Sequence, residues 1–180
     1  RDVYKRQTME IKGKLASAIN TQITLEQHSA LAYEQLSYDM EALDLPGIAS
    51  WFRAQAEEER VHAAKFAQHL LDRGGRPQLE QIDAMTEQAE TVLEAFEASL
   101  AQEKRVSDAI RDLYRIATAE GDIDSLPLLH WFIDEQLEEE ASVSEIIGRV
   151  KLIGDDGAGL LKLDQELGSR PGGTNLAEAE

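Results

Sequence analysis

Residues 52–66 read Phe-Arg-Ala-Gln-Ala-Glu-Glu-Glu-Arg-Val-His-Ala-Ala-Lys-Phe, and the stride of this stretch decides the fold. In an α-helix Phe52, Glu59, His62 and Phe66 fall on one face, because residues three, four and seven apart sit above one another. Alanine, glutamate, glutamine and lysine favour the helix, and no period-two alternation competes with it. Ile48 and Leu70 extend the same face in both directions. A carboxylate and an imidazole therefore stand in the middle of a stripe that is otherwise core.

Glycine and proline mark the limits of this helix and its neighbours. Breaks fall at Pro46-Gly47, Gly74-Gly75-Arg76-Pro77, Glu120 to Pro127 and Gly154 to Gly159, and Pro171, Gly172 and Gly173 punctuate the tail. The segments between them predict helices at about 10–43, 47–73, 85–119 and 125–153, with a short fifth helix at about 157–167. Apolar stripes support each long one: Leu15, Ile19, Tyr33, Leu36 and Met40 in the first, Val92, Phe96, Leu100, Ile110 and Leu113 in the third, Phe132, Val143, Ile146 and Val150 in the fourth. Two links are short and make antiparallel hairpins. The link from Gly74 to about Ala84 is long enough to return along the bundle. The expected fold is all-α, a four-helix bundle with one long crossover between its second and third helices.

Composition narrows the chemistry. The chain has 180 residues, 18 Lys+Arg against 35 Asp+Glu, a net charge of -17 and 42% hydrophobic residues. One domain with a sizeable core is expected. The domain reading is a flexible extension at 1–9, the bundle and fifth helix at 10–167, and a flexible tail at 168–180. The polar stretch Arg1–Thr8 reads as an extension ahead of a start at Met9. An acidic chain of this kind offers no basic face, so no nucleic acid and no membrane is expected as partner; cations are. The absence of cysteine excludes disulfides, thiolate metal sites and iron–sulfur clusters. A cytoplasmic location is expected.

The same stride turns acids inward in all four helices. Glu26 follows Ile19 and Gln22; Glu103 lies between Leu100 and Ile110; Gln136 and Glu139 lie between Phe132 and Val143. Glu26 to Glu59 and Glu103 to Gln136 are both steps of 33, and three positions later come His62 and Glu139. A lone glutamate on such a stripe is ordinarily a snorkelling side chain. Four clustered carboxylates are different, because burial and mutual repulsion both oppose them without a compensating cation. Two divalent metals would balance them, and oxygen donors with one imidazole suit iron, manganese or zinc.

Three stretches resemble prokaryotic non-haem ferritins: Leu25-Glu26-Gln27-His28-Ser29-Ala30-Leu31-Ala32-Tyr33, Glu58-Glu59-Arg60-Val61-His62, and Trp131 through Glu140. The resemblance runs from about Leu15 to Leu167 and implies a ferritin-like bundle. It implies that Glu26 and His62 ligate a first iron, that Glu59 bridges, and that Glu103 and Glu139 hold a second. Gln136 would lie close to that second iron. Tyr33 beside the centre, and Trp131 also near the centre, would hydrogen-bond a ligand or supply an electron. Glu58, Glu135 and Glu138, with Glu139, match a third iron site of some bacterial ferritins. Haem is not expected, because the fourth helix carries Gln136-x-x-Glu139 where haem-bearing relatives repeat Glu-x-x-His, and Arg60 follows Glu59 where they place methionine.

The function so implied is iron storage: Fe(II) oxidised to Fe(III) at a ferroxidase centre by dioxygen or peroxide, then deposited as mineral inside a shell of 24 copies. Leu160, Leu161 and Leu163 of the fifth helix are expected at a contact between copies. Asp122 and Asp124 read as turn or cap residues ahead of an ion-path role. Two alternatives compete: a smaller ferritin-like di-metal oxidase or peroxidase, and a non-catalytic acidic helical assembly protein.

Overall fold

Five α-helices make up the described part of the computed structural model, which comprises residues 10, 11 and 13–169. They are α1 (Gly13–Ala42), α2 (Pro46–Asp72), α3 (Val92–Glu120), α4 (Leu126–Ile153) and the short α5 (Gly157–Gly168), with one 3-10 turn at Ile123–Ser125. The extension expected at 1–9 and the tail beyond Ser169 lie outside the described residues; Gly168 still belongs to α5. Among the described residues no helix is long and apolar enough to cross a membrane.

The stripes read from the sequence meet in two hydrophobic clusters, one toward each end of the bundle. One gathers Ile19, Ile23, Phe66, Val106, Ile110, Leu129 and Phe132; the other Tyr33, Met40, Phe52, Ala56, Phe96, Val143 and Ile147. Along α1 and α4 the chain passes from the first cluster to the second, and along α2 and α3 from the second to the first. The α1–α2 and α3–α4 hairpins are therefore antiparallel, while α2 and α3 run the same way. That topology requires the crossover to span the bundle. The 27-residue α2 is about 40 Å long at 1.5 Å per residue, well within reach of an extended chain over residues 73–91.

The third helix begins at Val92, later than the expected 85. Residues 85–90 have helix-forming side chains, but tertiary ties hold the crossover extended. Asn20 Nδ2 donates to the Gln78 carbonyl (2.7 Å) and its Oδ1 accepts from Gln78 N–H (2.6 Å). Thr24 Oγ1 accepts from Glu80 N–H, and the buried Asp39 accepts from Ala89 N–H at 2.9 Å. Thr91 then starts the helix by accepting the Glu94 N–H, an N-cap bond. At the other end of α3, Gly121 adopts φ 68°, a left-handed cap that side chains other than glycine rarely take.

Helix α5 packs on the start of α2. Asp164 Oδ1 accepts the Ile48 N–H at 2.7 Å, and a Cβ on Gly47 would stand 1.9 Å from the Asp164 carbonyl oxygen. The expected intersubunit role of the α5 leucines is corrected in part. Leu163 is fully buried in its own bundle and Leu160 packs beside it, because the Gly47 approach brings α5 flush against α2; Leu161 stays 63% exposed.

Candidate metal centre

Between the two clusters lies a polar layer. Glu26 (α1), Glu59 and His62 (α2), Glu103 (α3), and Gln136 and Glu139 (α4) are all buried, none more than 8% exposed. Each takes its place from the stride of its helix, and Glu103 and Glu139 lie outside the tight group that Glu26, Glu59 and His62 form. Glu26, Glu59 and His62 offer ligand atoms all within 4.8 Å of one another. His62 Nδ1 lies 3.2 Å from Glu59 Oε2.

The four carboxyls hold one another's charge in check. Burial, then repulsion by Glu59, raises the pKa of Glu26 well above the ordinary range. Burial, then repulsion by Glu103, does the same to Glu59, which Glu139 also repels. Glu139 is pushed up to about 8, first by burial and then by Glu103. Glu103 is raised by burial, against the pull of hydrogen bonds from Tyr33 and Gln136. Glu59 thus stands amid the set, adjoining Glu26 and His62 on one side and feeling Glu103 and Glu139 on the other. These carboxyls hold their protons to higher pH than a free glutamate does, and a cation bound in the layer would displace them.

A ring of polar groups orients the acids. Gln22 Nε2 donates to Glu26 Oε1 (2.8 Å) and Gln55 Nε2 to Glu139 Oε2 (2.8 Å). The Tyr33 hydroxyl donates to Glu103 Oε1 and lies 2.9 Å from Ser99 Oγ. Gln136 Nε2 donates to Glu103 Oε2 (3.1 Å) and Ser107 Oγ (3.2 Å), and Ser107 in turn donates to Glu140 (2.6 Å). Two buried acceptors, Glu26 Oε2 and Gln136 Oε1, have no hydrogen-bond donor. Four carboxylates, an imidazole and two unclaimed buried oxygens are a donor set that divalent cations fit.

A family profile for the ferritin-like domain matches residues 16–153. The chain belongs to that family. It is 37% identical over 160 residues to a bacterial non-heme ferritin of Bacteroides fragilis, covering 89% of this chain and 99% of that one. A Staphylococcus aureus bacterial non-heme ferritin is 35% identical over 156 residues, covering 87% and 94%. Among solved structures, an open pore ferritin from the hyperthermophilic archaeon Archaeoglobus fulgidus superposes with a TM-score of 0.88 at 35% identity, covering 90% of this chain and all of that one.

The remaining expected residues also find places in this ferritin-like bundle. Glu58, Glu135, Glu138 and Glu139 line one cavity of about 310 Å³ with Gln55 and Arg149. Burial raises Glu135, and the nearby Glu138 and Glu58 add to it. Trp131 sets its ring edge-on to His62, the centres 5.8 Å apart. Asp122 is a structural residue: it accepts both Arg73 Nη1 (2.8 Å) and Ser125 N–H (3.1 Å). Asp124 is exposed beside it.

Sequence reasoning passed over Gln55, Ser99 and Ser107. Their signal was available: each lies four positions from Glu59 or Glu103, so a helix that turns the acid inward turns its neighbour in with it. Lys65, which stacks over Trp131, left no such signal.

Proposed function

We propose that the chain is an iron-storage ferroxidase that oxidises Fe(II) with dioxygen or peroxide and deposits the Fe(III) inside a shell of its own copies. The observation that carries this is the convergence, from four helices, of four buried carboxyls whose pKa values are all raised, with one oxygen of Glu26 and the amide oxygen of Gln136 left without a donor. A fold with nothing to gain from cations would not retain such a cluster.

In this reading iron is the substrate. Glu26 and His62 hold one Fe(II), Glu103 and Glu139 the other, and Glu59 reaches both. Gln136 orients Glu103 through Nε2 and keeps Oε1 for the site. Each Fe(II) gives up one electron, and the pair reduces one peroxide to two hydroxides or, with two protons taken up from water, dioxygen to hydrogen peroxide. Anionic oxygen donors favour the product, because Fe(III) is the harder ion. Glu58, Glu135 and Glu138 border Glu139 and are the next carboxylates an ion leaving the centre meets, which supports a third site there. A reducing cytoplasm, where iron persists as Fe(II), suits the reaction.

Aerobic Fe(II) titration tests the assignment. Wild type should oxidise Fe(II) at least 100-fold faster than Glu59→Ala, and equal rates would remove the catalytic claim. Light scattering tests the shell: 24 copies of a 20.0-kDa chain weigh roughly 480 kDa. A particle of half that mass would favour the smaller di-metal oxidase.

A further inference from the structure

Tyr33 and Trp131 flank the metal layer on different sides. The Tyr33 hydroxyl donates to Glu103, whereas the Trp131 ring meets His62 edge-on. Lys65, one turn beyond His62 on α2, holds its Nζ 4.4 Å from the centre of the Trp131 ring. Lys65 and Trp131 are both half-buried.

We propose that Lys65 keeps Trp131 reduced during turnover, so that a one-electron deficit at the centre is filled by Tyr33 instead of by the indole. In the neutral ring the π-face attracts the ammonium. Removing an electron makes the ring cationic and turns that attraction into repulsion across the same 4.4 Å, at a partly buried site where water screens poorly. Oxidation of Trp131 therefore becomes harder. Tyr33 has the opposite arrangement, since its hydroxyl faces a carboxyl, Glu103, and not a cation.

The deficit arises when one Fe(II) alone reduces peroxide, giving Fe(III), hydroxide and a hydroxyl radical. That radical becomes water on taking an electron and a proton from Tyr33, or hydroxide on taking one electron from Trp131, with later loss of the indole proton. The role during turnover rests on the proposed ferroxidase reading. The charge effect on Trp131 does not, and it is measurable without metal.

The test uses full-length chelator-treated protein and the azide radical, which removes one electron from tryptophan and leaves as azide. The chain has two tryptophans, and Trp51 lies about 21 Å from Lys65 along α2, a reference within the same molecule. Peptide mass mapping gives the ratio of oxidised Trp131 to oxidised Trp51. Lys65→Met keeps the apolar stem and removes the charge; Lys65→Arg keeps the charge. The ratio should rise at least fivefold in Lys65→Met and stay within twofold of wild type in Lys65→Arg. An unchanged ratio in Lys65→Met, or an equal rise in both variants, overturns the proposal, the latter by exposing a steric role.

A second arm adds Fe(II) and peroxide and reads the radical by electron paramagnetic resonance. Wild type and Lys65→Arg should show a tyrosyl signal and Lys65→Met a tryptophanyl one. A tryptophanyl signal in wild type overturns the proposal. Absence of any Fe(II) oxidation sinks the ferroxidase reading instead, while the azide arm still decides the Lys65–Trp131 pair.

Discussion

Glu139 shows what a single buried acid does to this fold before any cation arrives. Its pKa rises from 4.5 to about 8, mainly through burial. Between those two values the folded chain holds a proton that the unfolded chain has released. The contribution to stability is therefore complete below about pH 4.5 and is lost as pH climbs through about 8. At roughly 1.4 kcal/mol per pKa unit the loss is on the order of 5 kcal/mol if Glu139 alone titrates. Glutamine keeps the shape and cannot ionise. Metal-free Glu139→Gln should therefore melt about 10 °C above metal-free wild type at pH 9 and close to it at pH 5. Parallel melting curves across that range would show that the carboxyl is not held protonated.

At the scale of the helices, the acids follow from period and the crossover does not. A stride of 3.6 placed Glu26, Glu59, His62, Glu103, Gln136 and Glu139 on their stripes, and all six are buried in the bundle. Residues 85–90 were expected to be helical on the same reasoning and are not, because their conformation is set from a distant helix. Asp39 is 50 positions from the Ala89 N–H it accepts, and Asn20 is 58 from Gln78. No local window contains both partners. The Lys65–Trp131 stack was hidden for the same reason: it depends on how α2 and α4 are set against each other.

The seat of α5 depends on one such contact, and it makes a sharp prediction. Gly47→Ala puts a methyl group 1.9 Å from the Asp164 carbonyl oxygen, so α5 has to lift from α2. The bond from Ile48 N–H to Asp164 is then lost with it. Amide exchange across residues 157–168 should quicken at least tenfold, while cation binding at the mid-bundle centre stays as in wild type. Unchanged exchange in α5 would mean that the α2–α5 contact yields more easily than its geometry indicates.

Across the whole molecule, the metal layer is a seam between two apolar cores. Each of the four long helices crosses it once, with hydrophobic packing above and below and hydrogen-bonded acids between. Within the seam, burial and mutual repulsion oppose ionisation of the acids, so the two cores are joined where negative charge is hardest to place. Cations bound to all four acids, as proposed above, would favour their ionised forms and tie the four helices together. The formal net charge of -17 counts these buried acids as ionised, a state that burial opposes and a bound cation would favour. Zinc(II), which undergoes no redox change, isolates this effect from oxidation. At 100 times its dissociation constant a ligand that binds only the folded state adds ~2.7 kcal/mol per independent site. For a chain of this length that amounts to about 5–10 °C in Tm. Zinc should give wild type that increase and slow amide exchange around Glu26, Glu59, Glu103 and Glu139 together. In Glu59→Ala, which lacks the carboxylate between the two halves of the set, the gain should fall by at least half. Slowing confined to α2 would mean that Glu59 and His62 bind an ion on their own and that the four helices are not tied through the seam.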